Sequence, residues 1–432
     1  LDVGHRHKFL VSVIGTGFRH RFQAQVSGVA VMALLEVAAI AGGDRQLVKT
    51  IGVIGGGQLA WMMAEAASKL RLSLVVQTPK LDDPAVARVG NQSVVLGAVG
   101  DAATTRVLAD RVDVITFENE FVDLAALGEL ARSGICFRPH LISLEPLLDK
   151  YVQRCFLQGI GMPVPAFAAI DDRTQAITLD RWENGEPLTF PAVLKTRRHG
   201  YDGQGTRVVA DRSELLAVGN QWKWQPLILE AFVPFERELA AVAARSVQGD
   251  VAIYPIVETQ QVNQVCRRVI APAPIDPAVA QQCQAIARRL LEAIDAIGVF
   301  GIELFATADG RVSVNEVAPR THNSGHFSID ACQVSQFEQH LRAVAGLPLG
   351  ATELTCAQAA MVNLLGFESA VSDYRELRDR LAAVPRATVH WYGKTSASPG
   401  RKLGHVTVLA DSPEELQDAI NRLEHIWYGD RP

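Results

Sequence analysis

Two glutamates, Glu303 and Glu316, flank an Asp309-Gly310 dipeptide in the run VFGIELFATADGRVSVNEVAPR. Asp-Gly between alternating apolar runs signals a two-residue hairpin turn. With Ala308 paired to Arg311, the ladder puts Phe305 opposite Val314 and Glu303 opposite Glu316. Like charges facing each other across a strand pair repel. Solvent exposure, a shared proton or a divalent cation would relieve that repulsion. The neighbouring Phe300, Ile302, Leu304 and Phe305 argue against exposure. Hard carboxylate oxygens suit magnesium, with manganese as the alternative, and magnesium held by one or two carboxylates shares its shell with substrate phosphates.

Residues 194–209, LKTRRHGYDGQGTRVV, add phosphate chemistry. Gly200, Gly203 and Gly205 let backbone N–H groups approach phosphate oxygens, and Lys195, Arg197 and Arg198 bring positive charge. The stretch joins strands at 190–195 and 206–210 and lacks G-x-x-x-x-G-K-[ST], which excludes a P-loop. It reads as a β-hairpin whose tip folds over a nucleotide, yet Tyr201 and Asp202 at that tip are not what an anion cradle needs. RTHNSGHF follows the glutamate hairpin. His322-x-x-x-His326 has helical zinc spacing, but Pro319 and Ser324-Gly325 favour a loop. Arg320, His322, Asn323 and Ser324 then point polar groups into a cleft. A last candidate, Gly55-x-Gly57-x-x-Ala60, matches the dinucleotide fingerprint. The position for the ribose-binding acid holds Gln77, so a glycine turn packing a helix onto a strand is the expectation.

These residues need a scaffold. Residues 50–54, 58–70 and 72–77 form a βαβ unit, and residues 49–148 read as a doubly wound α/β domain. Helical spacing from Leu147 to Leu157 ends at Gly159-Ile160-Gly161. Strands follow at 227–230 and 237–244, a helix at 278–297, a hairpin at 299–317 and a helix near 334–345. Residues 347–432 read as a small β-rich domain, with strands near 359–365, 387–392 and 403–409. Its final helix opens on Ser412, Pro413 and Glu415. The expected division is therefore 1–48 as an extension, 49–148, 149–346 with a lid at about 165–230, and 347–432. The fold class is α/β and α+β multidomain.

The chain has 432 residues, 48% hydrophobic and 21% charged, with a net charge of −5. No basic excess points to nucleic acid. Six scattered cysteines without a C-x-x-C pair argue against a zinc ribbon or a disulfide framework and suit a reducing cytosol. Residues 1–48 are basic and then apolar, broken by Glu36, too short and interrupted for a membrane span. They read as a disordered or dispensable extension, or as a start site placed too far upstream.

Taken together, the lysine strand with GYDGQG, the LE hinge followed by ERE, the glutamates of GIELF and NEVAPR, and HNSGH resemble the ATP-grasp enzymes. GGGQLAWMM and HWYGK with PGRKLGH narrow the resemblance to the 5-(carboxyamino)imidazole ribonucleotide synthase family, over residues 49–432. The resemblance implies an ATP-grasp domain between a pre-ATP-grasp domain and the C-terminal β-rich domain. It implies an ATP-dependent carbon–nitrogen ligase of purine (IMP) biosynthesis, carboxylating 5-aminoimidazole ribonucleotide with bicarbonate through carboxyphosphate. A cytoplasmic homodimer, with no nucleic acid or membrane partner, is expected.

By position, Lys150 and Lys195 resemble the cations on ATP's phosphates. Gly200, Tyr201, Asp202, Gly203, Gln204, Gly205 and Thr206 resemble the lid loop, and Glu230, Ala231, Phe232 and Val233 the hinge that reads adenine. Glu238 resembles the ribose acid, Asn315 lies beside the triphosphate, and Glu303 and Glu316 resemble the magnesium ligands. Tyr201, Asp202, Arg320, His322, Asn323, Ser324, Lys394, Arg401 and Lys402 look like the ribonucleotide side, the last three holding its 5′-phosphate. Asp202, Tyr201, His322 and Asn323 are the catalytic candidates. Two positions depart from relatives: Gln261 replaces a histidine that contacts nucleotide, and Ala318 stands where other branches place an asparagine ligand. The alternatives are a sister ATP-grasp ligase (a formate-dependent glycinamide ribonucleotide transformylase or a biotin carboxylase), a Rossmann-type NAD-dependent dehydrogenase, and a catalytically silent nucleotide-binding protein.

Overall fold

The computed structural model describes residues 48–198, 200 and 205–429. Residues 1–47 and the lid-tip residues Tyr201, Asp202, Gly203 and Gln204 lie outside them, as do the expectations placed there.

The N-terminal part is a parallel sheet of β1 (Thr50–Ile54), β2 (Ser73–Thr78), β3 (Val94–Leu96) and β4 (Val114–Phe117), in the order β3-β2-β1-β4. Its central strands are apolar on both faces because helices cover both. Ile51 and Val53 pack with helix Gln58–Leu70, while Ile54, Ile115 and Phe117 pack on the other side with Leu108 and Leu127. The doubly wound reading holds.

The segment expected to be the lid is an antiparallel sheet of β5 (Phe167–Ile170), β6 (Ala192–Thr196), β7 (Thr206–Val209) and β8 (Leu227–Ala231), in the order β5-β8-β6-β7. Lys195 pairs with Thr206, so the glycine-rich stretch does join two antiparallel strands.

The rest is one 9-stranded sheet. It comprises β9 (Phe235–Arg245), β10 (Val251–Ile253), β11 (Val257–Val262), β12 (Val265–Ala271), β13 (Gly298–Thr307), β14 (Val312–Ala318), β15 (Gln358–Leu365), β16 (Ala387–Trp391) and β17 (Lys402–Ala410). The order is β14-β13-β9-β11-β12-β15-β17-β16, with β10 beside β9. The C-terminal strands thus extend the central sheet through the β12–β15 pairing and form no separate layer. Helix Pro277–Ala293 covers one face, burying Phe300, Ile302, Leu304, Val312, Val314 and Val317. Helix Gln336–Ala345 ties this sheet to the N-terminal one. Its Phe337, Leu341 and Val344 enter the N-terminal core. Its His340 accepts from the Val299 amide through Nδ1 (3.1 Å) and bonds the Thr116 hydroxyl through Nε2 (2.8 Å). Burial pushes that imidazole down to about 4, so the bridge is neutral. No helix among the described residues is long and apolar enough to cross a membrane.

Candidate active site

The glutamate hairpin carries the centre of the site, and its register is a correction with a consequence. Glu303 and Glu316 are cross-strand partners, but Phe305 faces Ser313 and Leu304 faces Val314. The loop is one residue longer than expected. The Thr307 amide donates to the Arg311 carbonyl (3.0 Å), the Gly310 amide donates to the Thr307 carbonyl (2.9 Å), and Gly310 has φ 78°. This is the three-residue hairpin that ends on a left-handed glycine. The resulting one-residue offset is undone by a bulge beside Glu303 that takes in Asn315. Bulges near active sites re-aim side chains. Asn315 here accepts from Lys195 Nζ (3.0 Å) and donates to Glu303 Oε2 (3.2 Å). The core-facing residues record the bulge: Val312 and Val314 alternate, then two polar residues intervene before Val317.

Each carboxylate meets cationic or donor groups from other elements. Glu316 pairs with Lys150, the first residue of helix Lys150–Gly159. Glu303 lies 3.3 Å from His322 Nε2. Burial alone would raise the Glu303 carboxyl, but its bond to His322, with Lys150 and Lys195 nearby, holds it at about 2. Glu238 lies on β9, two residues along the sheet face from the partner of Glu303. Burial, together with the Glu303 charge, pushes it up to about 7 against a hydrogen bond from Gln261.

Lys195 comes from the lid. It pairs with Glu230 Oε2 (2.7 Å), whose Oε1 accepts from Arg154 Nε (2.7 Å). Arg154 also donates to the Asn315 carbonyl, so one guanidinium joins the lid to the bulge. Burial works against the Glu230 charge, yet Arg154 and Lys195 overcome it and hold the carboxyl at about 2. The Glu230 side chain is therefore engaged inside the protein. In the hinge, the Ala231 amide donates to Ala166 (2.7 Å), the Val233 carbonyl accepts from Phe235 (2.8 Å), and Phe232 is exposed.

The loop arginines differ from expectation. Arg197 donates to both Asp149 oxygens (2.9 and 3.1 Å), and Arg198 reaches Asp149 Oδ2 at 3.4 Å. Asp149 also caps helix Lys150–Gly159. These two arginines anchor the root of the lid loop, and Lys195 is the cation directed at the bulge. Gly205 sits in the left-handed region (φ 74°), where its carbonyl accepts from the Thr196 amide (2.8 Å).

After β14 the chain forms a 3-10 turn (Asn323–Gly325) and a short helix (Ser328–Ala331), more ordered than the expected loop. His322 lies over β13 so closely that a Cβ on Gly301 would come within 2.4 Å of the His322 Cβ. Gln336 clamps it, accepting from its amide (2.9 Å) and donating to its carbonyl (2.7 Å). His322 Nδ1 bonds the Ser324 hydroxyl (2.8 Å). Arg320 makes a two-point contact with Glu120 (2.6 and 3.1 Å). Lys394 donates to Gln58 Oε1 (2.7 Å) and to the Lys402 carbonyl (2.6 Å). Arg401 donates to Ser396 of its own loop (2.6 and 2.8 Å). The 394–402 loop therefore meets the N-terminal glycine turn through Gln58.

At that turn, the Gly57 and Leu59 amides donate to the Glu118 carboxylate (2.6 and 3.1 Å). A helix N-terminus of this kind would hold a dinucleotide's pyrophosphate, and here a side chain holds the place. Burial raises the Glu118 carboxyl above its usual range against those amides and Arg320. Sequence reading missed Arg154, Gln336, Glu118, Glu120 and Gln58, all defined by long-range partners. The acidic pair in FENE at the end of β4 was the one local signal.

Residues 48–145 match the ribonucleotide synthetase preATP-grasp domain, 155–337 the ATP-grasp domain, and 359–419 the phosphoribosylaminoimidazole carboxylase C-terminal domain. The chain is 55% identical over 386 residues to an N5-carboxyaminoimidazole ribonucleotide synthase of Synechococcus elongatus, covering 88% of this chain and 96% of that one. A carboxyaminoimidazole ribonucleotide synthase from Aspergillus clavatus, solved with ATP, superposes with a TM-score of 0.81 at 33% identity, over 88% and 98% of the two chains. The structure from the same organism with ADP and 5-aminoimidazole ribonucleotide gives 0.80 at 31%, over the same shares.

Proposed function

The chain belongs to the N5-carboxyaminoimidazole ribonucleotide synthase family of ATP-grasp ligases, and on that premise we propose how its residues divide the work. The reaction is ATP-dependent carboxylation of 5-aminoimidazole ribonucleotide to its N5-carboxyamino form, a step of purine biosynthesis. The observation that carries the residue assignment is the bulged hairpin, which gathers Glu303, Asn315 and Glu316 between the lid's Lys195, the helix's Lys150 and the loop's His322.

ATP would lie between the lid and the central sheet. Hinge residues 230–233 would border adenine, Glu238 would accept from the ribose hydroxyls, and Gln261 would orient Glu238. Lys150 and Lys195 would exchange their present carboxylate and amide partners for phosphate oxygens. Glu303 and Glu316 fit magnesium, with manganese as the alternative, since both offer hard oxygens. Among the described residues no group of three or more His, Cys, Asp or Glu side chains forms a metal site, so phosphate and water would complete the shell. Bound there, the ion would supply charge neutralisation on the phosphates.

Bicarbonate is a poor electrophile. Attack of one of its oxygens on the γ-phosphorus breaks the β–γ bridge, releases ADP and forms carboxyphosphate. The substrate's exocyclic amine then takes the carboxyl carbon, loses a proton and releases phosphate. The intermediate hydrolyses readily, so the lid must exclude water. Arg320, His322, Asn323 and Ser324 would line the ribonucleotide side with Lys394, Lys402 and Arg401, the last after leaving Ser396. Tyr201 and Asp202 would face the amine from the lid tip, with Asp202 orienting or deprotonating it. The family matches at 48–145, 155–337 and 359–419 support domain divisions at 148 and 346. A cytoplasmic homodimer completes the proposal, and sedimentation would test the assembly state.

The test is ADP and phosphate release from ATP and bicarbonate, with and without 5-aminoimidazole ribonucleotide. The ribonucleotide should stimulate turnover and be carboxylated one-for-one with ADP. Unstimulated turnover would contradict the assignment.

A further inference from the structure

The loop that carries His322 and Asn323 rests on a row of polar side chains contributed by the C-terminal strands. Asn363 on β15 is the cross-strand partner of His405 on β17, and His405 is the partner of His390 on β16. The three side chains therefore stand in line across one sheet face. Opposite them, Asn323, His326 and Asp330 follow one another at intervals of three and four, the spacing of one helical face.

Each position meets its counterpart. The Asn323 and Asn363 amides bond reciprocally (3.0 and 2.8 Å), and Asn363 Nδ2 also donates to the Cys266 carbonyl (2.9 Å). The His326 and His405 rings lie 5.1 Å apart. His390 Nε2 is 2.8 Å from Asp330 Oδ2, and its ring stacks on His405 at 4.5 Å. Asn363, His405 and His326 are each 0% exposed. Behind the row, Tyr392 bonds His405 Nδ1 (2.8 Å) and packs its ring edge-on to Trp61 of the N-terminal domain.

A row kept only for adhesion would do better with apolar side chains. His326 Nε2 and His405 Nε2 have no hydrogen-bond partner among the described residues, and an unsatisfied buried polar group costs about 1–3 kcal/mol. Polar pairs instead fix the register and tilt of what they hold. His322 sits one residue before Asn323 and also touches Glu303, so a small tilt of this turn moves the ribonucleotide side relative to the carboxylate pair.

We propose that Asn363, His405 and His390 are positioning residues for carboxyl transfer, holding the 322–330 turn so that Asn323 and His322 meet the ribonucleotide in register with the phosphate-activating hairpin. The proposal rests on the assignment of His322 and Asn323 to the ribonucleotide side.

The test compares His405→Phe and Asn363→Ala with wild type, reading carboxylated product per ADP, the KM for ATP and the melting temperature. Misplacement of a reacting group by about 1 Å can cost roughly 100-fold in rate. Both variants should keep the wild-type KM for ATP and lose about 10- to 100-fold in carboxylation, with product per ADP falling well below one. His405→Gln, which can still accept from Tyr392, should restore most of the ratio. Adding Asn363→Ala to Asn323→Ala should cost little further, because the one acts through the other. Wild-type stoichiometry in His405→Phe and Asn363→Ala, or fully additive losses in the double variant, overturns the proposal. Should His405→Phe fail to fold, His405→Gln and the Asn323/Asn363 pair decide by the same readings. A wild type that makes no carboxylated product overturns the parent assignment as well, whereas an uncoupled variant beside a one-for-one wild type supports both.

Discussion

The Gly55–Gly57 turn and the Glu303–Glu316 hairpin both resemble nucleotide sites in sequence, and their polar groups meet different fates. At the turn, the helix N-terminal amides of Gly57 and Leu59 are satisfied by a buried carboxylate of the same domain, Glu118. At the hairpin, Glu316 meets Lys150 and Glu303 meets His322, while Lys195 bonds the Asn315 amide of the bulge; the three come from a helix, a loop and the lid strand β6. The first arrangement is closed. The second consists of charges that separate elements bring together, which is the arrangement the proposed exchange for phosphate and metal needs. A binding motif therefore has to be judged by whether its polar groups are satisfied within one domain, as at the turn, or by side chains that separate elements bring in, as at the hairpin.

The strongest way to break this contrast is Glu316→Gln. Turnover should fall at least about 100-fold, as when a transition-state charge stabiliser is removed, with the melting temperature preserved. Wild-type ADP release would show that the pair is structural, like Glu118. Arg154→Met comes next. It leaves Glu230 short of one cation and separates the lid from the bulge. Breaking a buried ion pair costs about 3–5 kcal/mol. Urea unfolding should show a loss of that order, and the KM for ATP should rise. An unchanged KM would detach the lid anchor from nucleotide binding.

Gly57→Ala probes the closed region. Its Cβ would meet Glu118 Oε1 at 2.4 Å. Overpacking of this kind costs about 1–3 kcal/mol, so the melting temperature should drop while the KM for ATP stays unchanged. NADH should not shift the melting temperature of either protein, and a shift would reopen the dinucleotide reading. The smallest effect concerns Glu238, whose carboxyl is raised from 4.5 to about 7 in the folded protein. The folded state then holds the proton more tightly than the unfolded one. This group's contribution to ligand-free stability declines as pH rises from about 5 to 7 and is level above that. Glu238→Gln should flatten that decline in urea midpoints, and an unchanged slope would deny that burial and the Glu303 charge raise this carboxyl.

The hairpin shows how far the sequence could be read. Opposition of Glu303 and Glu316 was legible, but through two offsets that cancel. Asp-Gly serves a three-residue loop as well as a two-residue one, because Gly310 can take the left-handed position in either. The bulge at Asn315 left a trace in the spacing of Val314 and Val317, which the pairing arithmetic overlooked. Lysines and carboxylates in short motifs were identifiable because chemistry limits their types. Arg154, Gln336 and Asn363 were not, since the partners described above, Glu230 and Asn315 for Arg154, His322 for Gln336, and Asn323 and Cys266 for Asn363, lie 14 to 161 residues away in the chain. Arg197 and Arg198 read as phosphate ligands because nothing local announced Asp149 as their partner.

The most direct test of the central claim follows oxygen from bicarbonate. With 18O-bicarbonate, ATP and 5-aminoimidazole ribonucleotide, each phosphate released should carry one bicarbonate-derived 18O, in step with product. Phosphate carrying oxygen from water instead, while product still forms, would show that the Glu303–Glu316 centre does not activate bicarbonate by phosphorylation.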